Sequence, residues 1–241
     1  MEEISMQDLP STQIRIKRVL EVFSEVVCSR NLLDIGCGDG TVTKQIREIV
    51  NLDIVDGVDV LDSPDRPDWI RFKRVDLNKE SLPYPSDSFD TIYCGEVIEH
   101  MVDPDHLLDE IYRVLSPVGK CILTTPNLGS WPSRFTLLLG FQPYLTSVSD
   151  RYKQVGWLKL VGRQEHTGHL RVFTTRALLE LLKLHNFRVD RLKGWEVGNL
   201  GMHLHSSLLG VLVSPIDKLL ALFPSLACSL TVVMSKIEVR V

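Results

Sequence analysis

The chain lacks the excess of basic residues with which proteins usually hold a nucleic-acid backbone. Its 27 lysines and arginines are outnumbered by 31 aspartates and glutamates, so the net charge is −4 and no nucleic-acid partner is expected. Cysteine is also scarce: there are five, and none stands at the spacing of a metal site or of a C-x-x-C pair. We interpret them as reduced thiols of a cytoplasmic protein, and we expect no metal centre.

Long uninterrupted apolar segments are missing as well. The first ten residues, MEEISMQDLP, contain no apolar core of a signal peptide. Residues 219–235 carry no formal charge, but Pro224 divides them, and a membrane-spanning helix needs about 20 continuous apolar residues. We therefore expect no transmembrane segment. The stretch LLGVLVSPIDKLLALFP at 208–224 favours a buried crossover helix between the last two strands. The alternatives are a cap over an apolar acceptor site and peripheral contact with a membrane surface.

Short apolar strands alternate with amphipathic helices through the first half of the chain. This alternation favours parallel strands joined by crossover helices on both faces of a sheet. The predicted strands are 31–35, one that ends in GVDV at 57–60, one within WIRFKRVDLN, 89–95, GKCILTTPN at 119–127, FRVDRL and LTVVMSKIEV. We expect a single domain over residues 1–241, with an N-terminal helix at 11–28 and an acceptor-site insertion or lid at 129–168.

Small and acidic residues lie at the carboxyl end of each of the first four predicted strands. They are Gly36, Gly38 and Gly40 after the first, Asp59 at the end of the second, Asp76 at the end of the third, and Cys94, Gly95 and Glu96 at the end of the fourth. Because the ligand crevice of an open α/β sheet lies beyond the carboxyl ends of its strands, we expect these residues to border one site. Asp59 stands 23 residues after Gly36, an offset that suits hydrogen bonds to ribose hydroxyls. The spacing D-x-G-x-G-x-G differs from the G-x-G-x-x-G fingerprint of dinucleotide binding. This difference favours a ligand that is a nucleoside with a small charged tail.

Five segments in order resemble those of class I S-adenosylmethionine-dependent methyltransferases. They are LLDIGCGDG, GVDV, VDLN, LPYPSDSFDTIYCGEVIEHMVDP and EIYRVLSPVGKCILTTPN. The similarity is closest to the small-molecule, ubiquinone-biosynthesis-like subgroup (methyltransferase type 11), over residues 31–127 and again at 168–187. One departure is SPVGK at 116–120, where the family tends to have two adjacent glycines. That segment is expected before the fifth strand, with little effect on the cofactor.

The resemblance implies a Rossmann-like, doubly wound α/β fold. Its seven-stranded sheet would be mostly parallel with an antiparallel last strand, and helices would cover both faces. It also implies contacts with S-adenosylmethionine from the glycine loop and from the strand ends. Gly36, Cys37 and Gly38 would lie along the amino-acid moiety, and Asp34 would orient that loop and meet the ammonium group. Asp59 would bind the ribose hydroxyls, Val60 would lie at the adenine face, Asp76 would bind the adenine amino group, and Leu77 would contribute backbone contact. Cys94, Gly95 and Glu96 would line the methionine chain.

Methyl transfer from a sulfonium asks the protein mainly for positioning and exclusion of water. A hydroxyl acceptor also needs a base, and the candidates are His100 in EVIEHM and His166 and His169 in EHTGHLRVF. The aromatic residues of the insertion form either an acceptor pocket or lid, or the insertion's own small core. The predicted function is methyl transfer to an oxygen, nitrogen or carbon nucleophile of a small or lipid-like molecule. The alternative is a non-catalytic S-adenosylmethionine-binding protein that uses the insertion as a partner surface.

Overall fold

The computed structural model describes residues 11–26, 31–149, 151–152, 154–158, 168–196 and 208–237. The helices are α1 (Ser11–Glu25), α2 (Thr41–Ile49), α3 (Pro104–Val114), α4 (Trp131–Leu138), α5 (Thr175–Leu184) and α6 (Leu208–Ala221), with a 3₁₀ turn at Ile98–His100. The strands are β1 (Asn31–Ile35), β2 (Ile54–Asp59), β3 (Arg71–Arg74), β4 (Phe89–Gly95), β5 (Leu115–Pro126), β6 (Phe187–Trp195) and β7 (Ser229–Lys236).

The strands form one seven-stranded sheet in the order β3-β2-β1-β4-β5-β7-β6. Strands β1 to β5 pair in parallel, and β7 runs antiparallel between β5 and β6. Successive residues of a strand point to opposite faces. Leu32 accordingly packs in a core layer with Phe23 of α1, whereas Leu33 packs in the other layer with Leu107 of α3 and Leu178 of α5. The predicted fold, with helices on both faces, is confirmed.

Local sequence signals set the ends of two helices. Asp103 caps α3 by accepting a hydrogen bond from the His106 backbone N–H at 3.1 Å, and Pro104 follows where its missing N–H costs nothing. Thr174 caps α5 through Ala177 N–H at 3.2 Å. Asn186 then leaves that helix with φ 60°, the left-handed conformation expected of an asparagine at a helix end.

Two predicted boundaries differ from the structure. Strand β5 begins at Leu115 rather than at residue 119, so SPVGK lies inside the strand, where the pairing of β4 with β5 shifts register. Helix α1 ends at Glu25, and residues 27 and 28 of the predicted helix lie outside the described residues.

The segment 208–224 does form a crossover helix between the last two strands, but the prediction that it is buried was wrong. In the part of α6 whose side chains are described, Asp217 and Ala221 are buried, whereas Ile216 and Leu219 are more than half exposed. An apolar sequence shows that a helix can be buried, but it does not show whether another element of the fold packs over it. Every helix in the described ranges is too short or too polar to cross a membrane.

The described part of the insertion contains α4 and a small aromatic core. Tyr144 and Trp157 are buried in an edge-to-face contact with ring centroids 5.5 Å apart. The Tyr144 hydroxyl donates to the Leu158 carbonyl at 3.0 Å, and the Trp157 indole N–H donates to the Thr146 carbonyl at 3.2 Å. These two aromatic residues therefore stabilise the insertion itself.

Candidate active site

A cavity of about 410 Å³ opens beyond the carboxyl ends of β1 to β4. This volume is within the range of small-molecule sites, about 300–1,000 Å³. Its wall contains seven of the residues predicted from the sequence: Gly36, Asp59, Val60, Asp76, Leu77, Glu96 and His100. Val58, Val75, Asn78, Val97 and Met101 complete the wall, so the three carboxylates of Asp59, Asp76 and Glu96 stand in a largely apolar enclosure.

The loop after β1 takes the left-handed backbone conformation at each of its glycines, with φ +77° at Gly36, +52° at Gly38 and +78° at Gly40. A Cβ on Gly36 would lie 2.4 Å from Val97, and one on Gly40 would lie 2.7 Å from Ile70. Among the described residues, nothing lies within 4 Å of the same position on Gly38. Neighbouring side chains thus leave no room for a Cβ at Gly36 and Gly40, whereas Gly38 has open space beside its backbone.

Asp34 lies buried beneath this loop and outside the cavity wall. Its Oδ2 accepts a hydrogen bond from the Thr43 hydroxyl of α2, and Oδ1 has no partner among the described residues. Burial raises the pKa of Asp34 to about 7 against the opposing effect of the Thr43 hydrogen bond. The carboxyl group therefore ties the loop to α2, and its contact with an ammonium group stays a prediction.

Asp59 joins the glycine loop to the loop that follows β2. Its Oδ2 accepts from Gly38 N–H and its Oδ1 from Leu61 N–H, both at 2.9 Å. A carboxylate oxygen has two acceptor positions, so each oxygen keeps one for a further donor. Asp76 accepts from the Lys79 ammonium at 2.6 Å and from Asn78 N–H at 3.1 Å, and both contacts hold its pKa below the usual value.

Arg66 is a residue of this site that the sequence does not reveal. Its guanidinium donates from Nε to the Gly38 carbonyl at 2.9 Å and from Nη2 to the Leu61 carbonyl at 3.2 Å. It also pairs with Asp62 and lies 3.5 Å above the centre of the Phe72 ring. Arg66 therefore fastens the two loops that Asp59 joins. In the sequence, SPDRPD reads as an ordinary solvated loop, and no local signal distinguishes this arginine.

The end of β4 brings only one of its three predicted residues to the cavity wall. Cys94 is fully buried in the core, where burial raises its pKa well above the usual value. A Cβ on Gly95 would lie 2.1 Å from the Tyr93 hydroxyl oxygen, so that position is packed by protein. Glu96 lines the cavity with φ 58° and is held by Thr124, whose hydroxyl donates to Glu96 Oε1 at 3.0 Å. Cys37 is also buried, with its sulfur against Gly57.

Two of the three candidate histidines meet at the rim of the cavity. His100 Nδ1 lies 3.1 Å from the Gly168 carbonyl, and His169 Nδ1 lies 2.9 Å from the Leu145 carbonyl. Because a carbonyl oxygen can only accept, both Nδ1 atoms carry the proton, and Nε2 is the basic nitrogen of each neutral ring. The two rings pack edge to face with centroids 5.0 Å apart. His166 lies outside the described residues.

Glu99 completes a cluster with these histidines. It is fully buried, and its Oε2 accepts from the Thr125 hydroxyl at 3.0 Å. The side-chain ligand atoms of Glu99, His100 and His169 lie within 4.8 Å of one another, close enough to share a metal ion. The sequence gives no sign of this cluster, because His169 is distant from the other two residues along the chain. The expectation of no metal centre therefore stays a prediction.

A sequence model of the methyltransferase domain matches residues 13–192, well over half of the chain. The chain belongs to the methyltransferase domain family. It is 34% identical over 145 residues to a demethylmenaquinone methyltransferase of Lactobacillus johnsonii, an overlap that covers 50% of this chain and 57% of that protein. It is 23% identical over 136 residues to a ubiquinone biosynthesis O-methyltransferase of Psychrobacter cryohalolentis, covering 52% and 51%. The chain thus spans about half the length of these curated relatives.

Solved methyltransferases share the fold over nearly the whole chain. One is the 1,6-didemethyltoxoflavin-N1-methyltransferase of Burkholderia thailandensis with bound S-adenosylhomocysteine, which is 16% identical with a TM-score of 0.56. That match covers 93% of this chain and 79% of the other. The family and the shared fold agree with a class I S-adenosylmethionine-dependent methyltransferase domain.

The residues around the cavity fit S-adenosylmethionine. Open space beside Gly38 leaves the backbone of the glycine loop accessible, and Asp59 keeps one acceptor position on each carboxylate oxygen for ribose hydroxyls. Val58, Val75 and Leu77 provide apolar walls for a planar base. The cavity therefore offers groups complementary to each part of the nucleoside.

Proposed function

We propose that this protein transfers a methyl group from S-adenosylmethionine to a hydroxyl group of a small, lipid-linked aromatic acceptor of the quinone-precursor type. The names of the relatives from Lactobacillus and Psychrobacter support the acceptor class. The observation that carries the choice of a hydroxyl is His100, which lines the cavity with its proton held on Nδ1 by the Gly168 carbonyl. Nitrogen and carbon acceptors have less need of such a base.

In this proposal the strand ends hold the cofactor. Asp59 accepts hydrogen bonds from the ribose hydroxyls, and Val60 borders the adenine. Asp76 and Leu77 recognise the adenine edge, while Glu96 lies beside the methionine chain. Gly36, Cys37 and Gly38 present backbone to the amino-acid moiety. Arg66 acts as a positioning residue, because it touches the loops and does not line the cavity.

When bound, S-adenosylmethionine supplies a methyl group already activated on a sulfonium sulfur. Nε2 of His100 would accept the hydroxyl proton of the acceptor as that oxygen takes the methyl group, and the cofactor would leave as S-adenosylhomocysteine. Proton removal by a positioned base contributes about 10²–10⁴-fold to a rate. His169 orients the His100 ring by packing against it.

The test is His100→Asn, which keeps a side-chain N–H near the Gly168 carbonyl and removes the basic nitrogen. With dihydroxybenzene acceptors, with and without an isoprenoid tail, we expect kcat to fall about 10²–10⁴-fold. Affinity for S-adenosylhomocysteine, measured by calorimetry, should stay unchanged. His106→Asn is the matched control, since His106 bonds to the Glu80 carbonyl outside the cavity wall.

Full turnover by His100→Asn would contradict the assignment of the base. Binding of S-adenosylhomocysteine without transfer to any acceptor would favour the non-catalytic alternative. Transfer to amines but not to phenols would contradict the choice of a hydroxyl.

We also propose the cytoplasm as the compartment. Among the described residues, Cys37, Cys94, Cys121 and Cys228 are free thiols, which supports a reducing environment. Treatment of the purified protein with diamide should leave its thermal unfolding midpoint unchanged, because Cys37, Cys94 and Cys121 are buried. A midpoint that rises on oxidation would contradict the proposal.

A further inference from the structure

Eight large apolar side chains are more than half exposed in or directly after two helices at one place in the fold. We call this set the α4–α6 surface. It consists of Phe135, Leu137, Leu138 and Leu139 with α4, and Ile216, Leu219, Leu222 and Phe223 with α6. Leu138 is 83% exposed and Leu222 is 75% exposed. Single exposed apolar residues need no explanation, but a contiguous group marks an interaction site.

Three hydrogen bonds join the first residues of α4 to α6 and to the turn that follows it, so we treat the exposed residues of the two helices as one surface. The Trp131 indole N–H at the start of α4 donates to Asp217 Oδ1 of α6 at 2.8 Å. Arg134 Nη2 donates to the Ser225 carbonyl, in the turn after α6, at 3.1 Å. The Trp131 backbone N–H reaches the Leu226 carbonyl at 2.9 Å.

The α4–α6 surface borders the edge of the sheet at which the cavity opens. Helix α4 follows the carboxyl end of β5, and α6 ends just before β7, whose first residue, Ser229, pairs with Pro126 at that end. Asn127 fixes the turn between α6 and β7 by donating to the Pro224 carbonyl at 3.1 Å and to the Ala227 carbonyl at 2.7 Å. An acceptor that leaves a bilayer docked here would be close to the cavity.

The exposed charges of this region are positive. Residues 128–149 contain one charged residue, Arg134, and residues 213–229 contain Asp217 and Lys218. Asp217 is buried and bonded to Trp131. Arg134 donates to the carbonyls of Gly129 and Ser225, and neither it nor Lys218 forms an ion pair within the described part of the chain. Apolar side chains flanked by cations complement an anionic lipid surface.

We propose that the α4–α6 surface docks on a bilayer containing anionic phospholipid. The apolar side chains enter the boundary between headgroups and acyl chains, and Arg134 and Lys218 meet the headgroup phosphates. Docking itself is independent of the chemistry of the site. Its purpose, access to a lipid-linked acceptor, rests on the proposed function.

The test is sedimentation of the full chain with sucrose-loaded vesicles of phosphatidylcholine, with and without phosphatidylglycerol. We expect the protein to pellet with the anionic vesicles and to be released by salt. The variant carrying Leu138→Glu and Leu222→Glu should partition at least about tenfold more weakly, because each change places a charge in the buried face of the contact. The matched control carries Val118→Glu and Leu184→Glu, at residues that are 82% and 78% exposed on other elements. It should bind like the wild type.

Wild-type protein that stays in the supernatant with both vesicle types would overturn the proposal. So would equal binding to neutral and anionic vesicles, or undiminished binding by the Leu138→Glu, Leu222→Glu variant. Self-association that this variant abolishes, without vesicle binding by the wild type, would assign the surface to a second copy of the chain. Calorimetry with S-adenosylhomocysteine in the absence of vesicles tests the cofactor site separately, so failure of docking and failure of the proposed function are distinguishable.

Discussion

Replacing Arg66 by alanine should weaken cofactor binding more than it weakens the fold. The guanidinium joins the Gly38 carbonyl of the glycine loop to the Leu61 carbonyl of the loop that follows Asp59. Hydrogen bonds from a charged donor contribute about 1.5–3 kcal/mol each, whereas the pair with exposed Asp62 contributes about 0–1 kcal/mol. The Asp59–Gly38 hydrogen bond remains in the variant, so the loss is partial. We expect about 1.4–2.8 kcal/mol less binding free energy, which is a 10- to 100-fold higher Kd.

Isothermal calorimetry with S-adenosylhomocysteine measures this change directly. Arg47→Ala is the matched control, because Arg47 also stacks on an aromatic ring, Trp69 at 4.3 Å, but lies outside the cavity wall. Turnover of Arg66→Ala at saturating S-adenosylmethionine should stay near the wild-type value, since a positioning residue acts through the loops. A folded Arg66→Ala protein with wild-type Kd would refute the reasoning. Equal losses in both arginine variants would assign the effect to general destabilisation.

Three further changes test neighbouring parts of the structure. Asp59→Asn should raise the Kd for S-adenosylhomocysteine about tenfold by removing a charged acceptor, with little change in the unfolding midpoint, and an unchanged Kd would remove Asp59 from the ribose site. Burial lowers the pKa of His185, but hydrogen bonds to Asp105 and Asp109 outweigh this effect and raise the pKa above 6.5. The stabilisation of the fold by protonated His185 is therefore present below about pH 6.5 and is lost as the pH rises through the higher pKa of the folded state. Thermal scans from pH 5.5 to 8.5 should show a steeper decline in the unfolding midpoint for the wild type than for His185→Gln. Chelation with EDTA should leave turnover unchanged if His100 is the base, and loss of activity that Mg²⁺ or Zn²⁺ restores would instead identify Glu99, His100 and His169 as a metal site.

Much of the cavity at the strand ends was predictable from the chain. The acids and glycines follow apolar strands directly, and parallel strands bring their carboxyl ends to one edge, so Asp59, Asp76 and Gly36 had to be near one another. A position at the end of a strand does not by itself separate residues that face the cavity from those behind it. Cys94 and Asp34 stand at the same edge, but their side chains point into the core or beneath the loop. Alternation along a strand decides this, and a shift of one residue reverses it.

By itself, the sequence determined the features that depend on neighbouring residues in the chain: the helix caps at Asp103 and Thr174, the glycine loop after β1, and the order of strands and helices. Contacts between distant segments were decided only by the tertiary structure. Arg66 reaches Gly38 across 28 residues, and His100 meets the Gly168 carbonyl across 68. The exposure of α6 was likewise decided only by the tertiary structure. Its apolar sequence is compatible with a buried helix, and only the folded chain shows that one of its faces has no protein element to pack against in the described residues.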